Sequence, residues 1–208
     1  IYRYVWYDRF YGGVLYKHLR QAGKKWRKLY RSHDSRGVMP GKRHISERSL
    51  GAENRSRIGH WEGDTVMGDI KDQHCILTLV ERKSKFTEIG KLKARSTVEL
   101  NGRLQLLIRR QPRKVRSLTT DNGTEFHDFR TIEAKTGALF YFSSSYCSWQ
   151  RGLNENTNGL IRQYLPKTKS MVQLTQAQCD TIATRLNRRP RKSLGFKTPE
   201  QVYANYCR

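Results

Sequence analysis

Acidic residues are scarce in this sequence of 208 residues. It holds 18 Asp and Glu residues against 41 Lys and Arg residues, which gives a formal net charge of +23. A charge excess of one sign repels itself, so a chain this basic usually has a polyanionic partner. Nucleic acid is the partner that the charge favours, because basic side chains that bind phosphate release its counterions. The alternatives are a solvated basic surface and a surface that faces anionic lipid.

Long apolar runs are missing as well. The sequence has no stretch of about 18 apolar residues, so we expect no membrane span. Residues 1–10 lack the apolar centre of a signal peptide, and no basic amphipathic helix is long enough to favour a lipid surface. The sequence begins with Ile1 instead of Met, so we expect it to be a fragment.

Patterns of cysteine and histidine that bind zinc are also absent. None of the four cysteines belongs to a CxxC pair, and their spacings match no zinc motif: they are Cys75, Cys147, Cys179 and Cys207. We interpret them as buried or idle thiols in a reducing cytosol. The six histidines are scattered and form no HExxH motif.

Residues 1–54 differ from the rest of the chain, because they are dense in charge and poor in core-forming residues. Residues 12–22 (GGVLYKHLRQA) can form one short helix with its apolar residues on one side. The residues that follow are typical of an extended basic arm that lies along DNA or a partner subunit, or of a disordered linker. We therefore predict a basic N-terminal helical and extended arm over residues 1–54 and a folded domain over residues 55–208.

From residue 60 onward the pattern predicts alternating strands and helices. Strands are indicated by β-branched and aromatic residues between turn signals, at residues 60–68, 74–82, 85–92, 115–120 and 138–142. Helices are predicted at residues 96–110, 125–136 and 154–164, and after the caps Thr175 and Thr198. Three antiparallel strands followed by crossover strands give a mixed five-stranded sheet with helices on both faces. This α/β architecture is the RNase H-like arrangement.

Three acidic residues stand at informative positions in this scheme. Asp64 lies inside the first strand, where Asp is disfavoured, and it shares a strand face with Glu62 and Val66. Asp121 ends the fourth strand, so parallel pairing of strands one and four would place both carboxylates at one edge of the sheet. Glu155 begins the helix after residue 153, and this helix can pack across that edge.

Carboxylates brought together in this way favour metal chemistry. They repel one another, and their pKa values rise. Mg²⁺ relieves the repulsion, because it takes oxygen ligands and keeps waters that substrate phosphate can replace. Two such ions can activate a water or a 3′-OH and stabilise the leaving oxygen of an in-line displacement. The sequence therefore predicts that Asp64, Asp121 and Glu155 are catalytic residues that bind two Mg²⁺ ions.

Each of the three acids also has a plain structural interpretation. Asp121 alone could be a turn residue, Asp64 a buried hydrogen-bonded carboxylate, and Glu155 a solvated helix residue. Two other acids compete with them: Glu62 could support Asp64 from the same strand face, and Glu125 could brace the loop after Asp121. Their joint placement favours the functional interpretation of the first three.

Side chains near Glu155 are candidates for DNA contact. Asn158 and Arg162 lie three and seven residues after Glu155 and share its helix face. Arg162 can hold a phosphate, or it is a plain surface arginine, while Asn158 can orient Glu155 or contact DNA. Trp149 and Arg151 precede the helix, where an aromatic ring beside an arginine could stack on an unpaired base. The alternative for Trp149 is a side chain that anchors the loop in the core.

Several long stretches make the chain resemble the IS-thirty family of bacterial insertion-sequence transposases. They are GHWEGDTVMG (59–68), LVERKSKFTEI (79–89), TTDNGTEF (119–126), SWQRGLNENTNGLIRQYLPK (148–167) and LNRRPRKSLGFKTPEQVY (186–203). The resemblance implies a DDE transposase with a retroviral integrase-like core, in which Asp64, Asp121 and Glu155 bind metal. It also implies hydrolytic nicking at transposon ends, followed by attack of the freed 3′-OH on target DNA.

The same resemblance implies cofactors and partners. The metal would be Mg²⁺, or Mn²⁺ in vitro, and the chain would act as a homo-oligomer, at least a dimer, on paired DNA ends. The partner would be double-stranded DNA in the bacterial nucleoid of the cytoplasm, with no membrane. A basic residue that contacts DNA falls on Arg162, and we extend this interpretation to other basic residues of the matched stretches: Lys167, Arg188, Arg189, Arg191 and Lys192.

The chain departs from the family's pattern ahead of Ile1, where a helix-turn-helix region would read the terminal inverted repeats. We therefore do not expect this chain by itself to recognise transposon ends. Two smaller departures, Ser145 in place of a proline and Thr168 after Lys167, change no acid. Competing hypotheses are a structure-specific nuclease or RNase H on the same fold, a non-catalytic DNA-binding protein descended from a transposase, and a structural RNA-binding protein.

Overall fold

A computed structural model describes residues 1–19, 40–69, 72–145 and 147–206. The chain forms two compact units, Ile1–Ser35 and Arg36–Arg208. Within the described ranges, none of the helices combines the length and the apolar character that a bilayer span needs. Of the four cysteines, Cys75 and Cys179 are buried free thiols and Cys147 is a half-buried one, while Cys207 lies outside the described residues.

The first unit contains helix α1 (Tyr2–Phe10) and a 3-10 helix over Leu15–His18. The described part of our predicted helix over residues 12–22 is helical only as the 3-10 helix over Leu15–His18, and Gly12, two residues after the end of α1, has a φ of +84°. The Asp8 carboxylate then accepts a hydrogen bond from the Leu15 amide at 3.0 Å, which turns the chain back. The remaining residues of the predicted helix lie outside the described ones. We did not predict α1, because its aromatic residues are exposed on several sides and form no apolar stripe.

The second unit is built on a mixed five-stranded sheet in the order β3-β2-β1-β4-β5. Its strands are β1 (His60–Met67), β2 (Cys75–Glu81), β3 (Thr87–Leu92), β4 (Ser117–Thr120) and β5 (Leu139–Phe142). The pairs β1–β2 and β2–β3 are antiparallel, and the pairs β1–β4 and β4–β5 are parallel. The predicted meander followed by two crossover strands is confirmed.

Six helices belong to this unit among the described residues: α2 (Leu50–Glu53), α3 (Thr97–Arg109), α4 (Phe129–Thr136), α5 (Gly152–Ile161), α6 (Gln176–Asn187) and α7 (Pro199–Asn205). The hydroxyls of Ser96, Thr175 and Thr198 accept hydrogen bonds from amides in the first turns of α3, α6 and α7. These three caps are the ones that the sequence predicts. The predicted helix over residues 125–136 is divided in the structure into a 3-10 helix over Thr124–Phe126 and α4, which begins at Phe129.

The helices cover both faces of the sheet. Trp61 of β1 belongs to a core that also contains buried residues of α3, α4 and α7. Val66 of β1 belongs to a second core with buried residues of α5 and α6. Because side chains alternate along a strand, Asp64 lies on the same face as Val66, under α5, while Thr65 lies on the face of α3 and α4.

The segment before β1 packs on the sheet. Ala52 of α2 is buried, and its carbonyl accepts a hydrogen bond from Nε of Arg82 at 3.0 Å. His44 forms a parallel bridge with Phe142 at the end of β5. Residues 40–54 therefore belong to the larger unit, whereas we had placed them in the arm with a boundary between residues 54 and 55.

Side chains of α6 cover the β3 edge of the sheet. Asn187 accepts a hydrogen bond from the Thr87 amide at 2.8 Å and donates one to the Thr87 carbonyl at 2.9 Å. Gln176 accepts from the Lys91 amide and donates to the Ile89 carbonyl, both at 2.8 Å. An open edge strand exposes backbone groups that can pair with another chain. In this protein α6 satisfies those groups of β3.

Replacement of Asn187 by alanine should therefore lower the free energy of unfolding by about 2–3 kcal/mol, because it leaves buried backbone groups of Thr87 without partners. Urea denaturation followed by circular dichroism measures the loss. Asn205→Ala at the exposed end of α7 is the control, with an expected change below about 0.5 kcal/mol. Equal losses in the two variants would show that Asn187 does not seal the edge.

Candidate active site

Asp64 lies in the middle of β1 and is held in place from two sides. Its Oδ1 accepts a hydrogen bond from the Thr65 amide at 3.0 Å, and its Oδ2 accepts one from Nδ2 of Asn158 at 2.8 Å. Asn158 belongs to α5, and its own Oδ1 accepts a hydrogen bond from the hydroxyl of Thr78. Thr78 lies on β2, directly opposite Asp64 on β1. We expected Asn158 to orient Glu155 or to contact DNA, and the structure places it on Asp64.

Asp121 follows the last residue of β4 and lies beside Asp64. In the parallel pair of β1 and β4, Glu62 is opposite Thr119, so two residues further on the same register sets Asp64 beside Asp121. The Oδ1 of Asp121 accepts a hydrogen bond from the Gly123 amide at 2.9 Å. The structure thus confirms the parallel pairing of strands one and four, from which we predicted that both carboxylates share one edge.

The guanidinium of Arg151 lies between these two carboxylates. Its Nη1 is 3.4 Å from Oδ1 of Asp64, and its Nη2 is 3.6 Å from Oδ2 of Asp121. Nη1 also donates to the Gly63 carbonyl at 3.2 Å, and only 11% of the side chain is exposed. We predicted that Arg151 contacts DNA. In this structure it points inward, because the paired carboxylates attract it.

Burial raises the pKa of the Asp64 carboxyl above its ordinary value. The positive charge of Arg151 opposes this rise, the negative charge of Asp121 adds to it, and the hydrogen bond from the Thr65 amide opposes it. The net effect is a pKa above the ordinary value, so the ionised form of Asp64 is destabilised in the folded protein. A perturbed carboxyl with a defined charge partner is typical of functional sites, and a further cation would relieve it.

Buried polar contacts fix the start of α5, the helix that carries Glu155. The Oε2 of Glu62 accepts a hydrogen bond from the Asn154 amide at 3.1 Å, and its Oε1 forms a buried ion pair with Arg82. Glu62 is therefore occupied by structural contacts and does not compete with Asp64 as a site acid. Glu155 follows Asn154 in the first turn of α5 and is exposed.

The three predicted acids are only partly assembled. In the described ranges, no three His, Cys, Asp or Glu side chains lie close enough together to hold a metal ion. Asp64 and Asp121 nevertheless share one cationic partner and offer only carboxylate oxygens, which are ligands that Mg²⁺ takes. This pair fits a divalent cation. Glu155 lies one turn before Asn158, the residue of α5 that contacts Asp64, and remains exposed.

Glu125 is buried behind the loop that carries Asp121. Its Oε1 accepts hydrogen bonds from the Thr65 hydroxyl and from Nε of Arg95, both at 2.7 Å. Its Oε2 is buried without a hydrogen-bond partner among the described residues. A Cβ on Gly123 would lie 2.5 Å from this oxygen and 2.9 Å from Oδ1 of Asp121. Both oxygens therefore border one glycine, and Glu125 braces this loop as its position suggested.

Two basic residues near the loop were missed by sequence reasoning. Arg95, from the turn before α3, pairs with Glu125. Lys42 donates from Nζ to Oδ1 of Asn122 at 2.8 Å, and Nδ2 of Asn122 donates to the Ser143 carbonyl at 2.8 Å. Both cations lie in non-helical segments far along the chain from the acids, so no spacing could connect them to the site.

The residues around α5 that we predicted to contact DNA differ from one another in exposure and in their contacts. Trp149 is 71% exposed, so the alternative in which it anchors the loop in the core is wrong. Arg162 follows the last residue of α5, and its Nη1 donates to the Leu165 carbonyl at 3.4 Å. Burial lowers the pKa of Arg162 from its ordinary value. Lys167 is exposed.

The basic segment after α6 is mostly at the surface. Arg188, Arg189 and Lys192 are exposed, and Arg191 is half-buried. Arg188 pairs with an acidic side chain of α7 at 3.3 Å, and Arg191 donates to a backbone carbonyl of α6 at 3.3 Å. Arg188, Arg189 and Lys192 are therefore accessible cations of this segment.

The chain is similar in sequence to known transposases. A family model for the integrase core domain matches residues 54–148. The chain is 38% identical over 203 residues to the transposase for insertion sequence element IS4351 of Bacteroides fragilis, a match that covers 98% of this chain and 62% of that protein. It is 46% identical over 159 residues to transposase InsI for insertion sequence element IS30A of Escherichia coli strain K12, covering 76% and 41%. The chain thus spans about half the length of these relatives.

The fold is similar to that of a solved integrase. The catalytic core domain of BIV integrase matches with a TM-score of 0.54 and 20% sequence identity, over 71% of this chain and 95% of that chain. At this identity the likeness concerns the fold alone. It agrees with the strand order described above and identifies the larger unit as RNase H-like.

The raised pKa of Asp64 has a consequence for stability that can be measured. A carboxyl whose folded-state pKa is raised destabilises the fold above that pKa, and the penalty fades as pH falls toward the ordinary value. Asp64→Asn should therefore raise Tm at pH 7.5, with a smaller rise at pH 4.5. Differential scanning calorimetry at both pH values measures this. A variant that is less stable at pH 7.5, or whose gain grows on acidification, would contradict the assignment.

Proposed function

This chain carries an integrase core domain and is related by sequence to the IS30-type transposases, and from this premise we propose that it is the catalytic region of a DNA transposase. It would cleave a phosphodiester at transposon ends and join the freed 3′-OH to target DNA. The observation that carries the proposal is the pairing of Asp64 and Asp121 from parallel neighbouring strands around one guanidinium. Asn158 of α5 donates a hydrogen bond to Asp64 from the helix that carries Glu155.

In this proposal Asp64, Asp121 and Glu155 hold two Mg²⁺ ions, for which Mn²⁺ can substitute. Integrase core domains generally use divalent metals, and the bound ions supply Lewis-acid stabilisation of the attacking and leaving oxygens. The chain's own part is to fix the carboxylates. The Thr65 and Gly123 amides and the Asn158 side chain hold the aspartate oxygens.

We place the scissile DNA over the edge of the sheet where the acids lie. Trp149 is exposed just before α5, where it can stack on an unpaired base. Lys167, Arg189 and Lys192 are exposed cations that can bind phosphates of the same duplex. Arg162, Arg188 and Arg191 belong to the same proposed surface, although each has a protein partner of its own.

The wider assembly follows the same proposal. The chain would act as at least a dimer on paired transposon ends, in the bacterial nucleoid. The strong net charge of +23 supports DNA as the partner. The basic residues ahead of β1, which we predicted as an arm, would add phosphate contacts.

A structure-specific nuclease on the same fold is the second candidate function. Its chemistry would use the same acids, so the site alone does not separate the two. The exposed cations after α6 favour the transposase, because a plain nuclease has less need of such a basic segment. Detection of joined products, and not only nicked ones, distinguishes the transposase from the nuclease.

Single substitutions of the acids test the proposal. Asp64→Asn, Asp121→Asn and Glu155→Gln should each reduce metal-dependent cleavage and joining on the order of 10³-fold or more, because the groups act as a unit. DNA affinity should stay within about threefold, since none of the three is a phosphate-binding cation. A gel assay of nicked and joined products on DNA with candidate transposon ends, paired with anisotropy for binding, measures both.

Glu200→Gln is the matched control for these variants. Glu200 is an exposed acid of α7 that pairs with Arg188, and its neutralisation should leave cleavage unchanged. Any of the three acid variants that keeps normal Mg²⁺-dependent cleavage would remove that residue from the site. Loss of cleavage in the control as well would point to a general effect of charge instead.

Glu125 is proposed as a positioning residue for the same site. Its carboxylate ties Thr65, the neighbour of Asp64, to the turn before α3 and borders the Asp121 loop. Glu125→Gln keeps the shape of the side chain but weakens the ion pair with Arg95. It should raise the Mg²⁺ concentration needed for half-maximal cleavage several-fold, and Glu125→Ala should raise it further.

Calorimetric Mg²⁺ binding provides a measurement for Glu125 that does not depend on turnover. Binding should weaken in the order wild type, Glu125→Gln, Glu125→Ala, while DNA affinity stays unchanged. If both variants bind Mg²⁺ as the wild type does and lose only thermal stability, Glu125 supports the fold and not the position of the aspartates.

A further inference from the structure

A cavity of about 330 Å³ lies at the end of the sheet where β1 and β4 begin. Its wall is formed by the residues just before each strand and by the C-terminal end of the chain's last helix: Arg57, Ile58, Arg113, Lys114, Arg116 and Tyr206. Four of these six side chains are cationic. None of them belongs to the stretches to which we assigned catalysis or DNA contact.

Backbone contacts hold the two basic segments of the cavity together. The Gly59 carbonyl accepts hydrogen bonds from the amides of Arg116 at 2.7 Å and Ser117 at 3.3 Å. Gly59 has a φ of +103°, and a Cβ at this position would lie only 2.7 Å from the Lys114 carbonyl oxygen. The backbone segments that carry Arg57 and Arg116 therefore pack closely against each other at Gly59, which brings both side chains to the same cavity.

The cavity is strongly positive. Its described lining includes no acidic side chain, and Lys83 adds a further cation by lying over the Tyr206 ring at 4.2 Å. The nearby Glu81 carboxylate is buried and accepts hydrogen bonds from the amides of Gly59, Lys83 and Ser84. Four cations line the cavity and Lys83 lies close to it, so the cavity is suited to an anion.

The positive charges around the cavity also act on the pKa of the buried His60 ring. Its Nδ1 lies 2.7 Å from the Ser117 hydroxyl, beside the start of both strands. Burial, together with the positive charges of Arg116, Arg82, Arg57 and Arg48, lowers the pKa of His60 to about 4. An anion bound in the cavity would act on this ring in the opposite direction.

The cavity lies where β1 and β4 begin, whereas Asp64 lies in the middle of β1 and Asp121 follows the end of β4. β1 and β4 run parallel and begin at the same edge, where His60 is opposite Ser117. Asp121 is five residues after Arg116, a separation of about 17 Å at about 3.3 Å per residue of strand. A phosphate in the cavity is therefore not the phosphate that the acids would cleave.

We propose that this cavity binds a backbone phosphate of duplex DNA, at a second contact remote from the scissile phosphodiester. The guanidinium groups of Arg57 and Arg116 supply planar donors that suit a phosphate. The inference rests on the proposed function, because it takes DNA as the partner. It adds a site on the side of the domain away from the acids, where a second stretch of duplex would be held.

The test compares two double variants that remove the same charge. Arg57→Gln with Arg116→Gln changes the cavity, while Lys93→Gln with Arg185→Gln removes two exposed cations elsewhere. Fluorescence anisotropy with a duplex of about 30 base pairs gives the dependence of affinity on salt. Because the cavity holds one phosphate, the cavity variant should lower the slope of log K against log salt by about 1, and the control by less than about 0.5. Equal changes in the two variants would overturn the proposal.

The binding assay contains EDTA, so it is independent of cleavage. Failure of the proposed catalysis would leave its result unchanged, and failure of the cavity site would leave the acid variants unchanged. The ring resonances of His60 give a local measurement by NMR: DNA should shift them in the wild type and not in the cavity variant. An absence of shift with DNA would overturn the DNA assignment.

A titration with inorganic phosphate distinguishes a site for a DNA phosphate from a site for free phosphate. If DNA and phosphate both shift His60 and compete with each other, the cavity binds a DNA phosphate, as proposed. If phosphate shifts His60 and DNA neither shifts it nor displaces phosphate, the cavity is a site for free phosphate and the DNA assignment is wrong. If neither shifts it, there is no anion site.

Discussion

The carboxylates of Asp64 and Asp121 face each other because β1 and β4 run parallel in register, and their repulsion has to be offset by the groups around them. Arg151 places a cation between them, while two backbone amides and Asn158 donate to their oxygens. These contacts leave the pKa of Asp64 raised, because burial outweighs them. A carboxyl pair left in this condition attracts a further cation, which is the property that a metal-dependent phosphodiester reaction requires.

The rest of the domain keeps that pair in position from both faces of the sheet. On one face, the buried pair of Glu62 and Arg82 anchors the start of α5 and so places Asn158 over Asp64. On the other face, the Glu125 carboxylate accepts a hydrogen bond from the hydroxyl of Thr65, the neighbour of Asp64. Breaking a buried ion pair by removing one partner typically costs about 3–5 kcal/mol. The site therefore depends on acids that take no part in the proposed chemistry, which makes a buried acid close to the site a poor guide to catalysis.

The sequence predicted the parts of the structure that depend on local pattern. Alternation and turn residues located five strands, and capping residues located the starts of α3, α6 and α7. The position of Asp64 inside a strand and of Asp121 at a strand end was enough to bring them together, since parallel pairing follows from the chain order. The contacts of Arg151 with the two aspartates could not be predicted, because the direction of its side chain depends on the tertiary packing of two distant strands. The exposed aromatic helix α1 also has no periodic pattern from which it could be predicted.

The charge balance can now be understood from where the acids are used. Some of the 18 acidic residues are buried without a buried cation beside them: Glu81 accepts hydrogen bonds from a turn, and Glu125 binds Thr65 and the partly exposed Arg95. Each acid that is withdrawn into the interior leaves the surface with one fewer counter-charge for its lysines and arginines. The basic character of the surface is thus stronger than a net charge spread evenly over the chain would give. A surface of that kind gains most from a polyanionic partner, which agrees with the proposed binding of DNA.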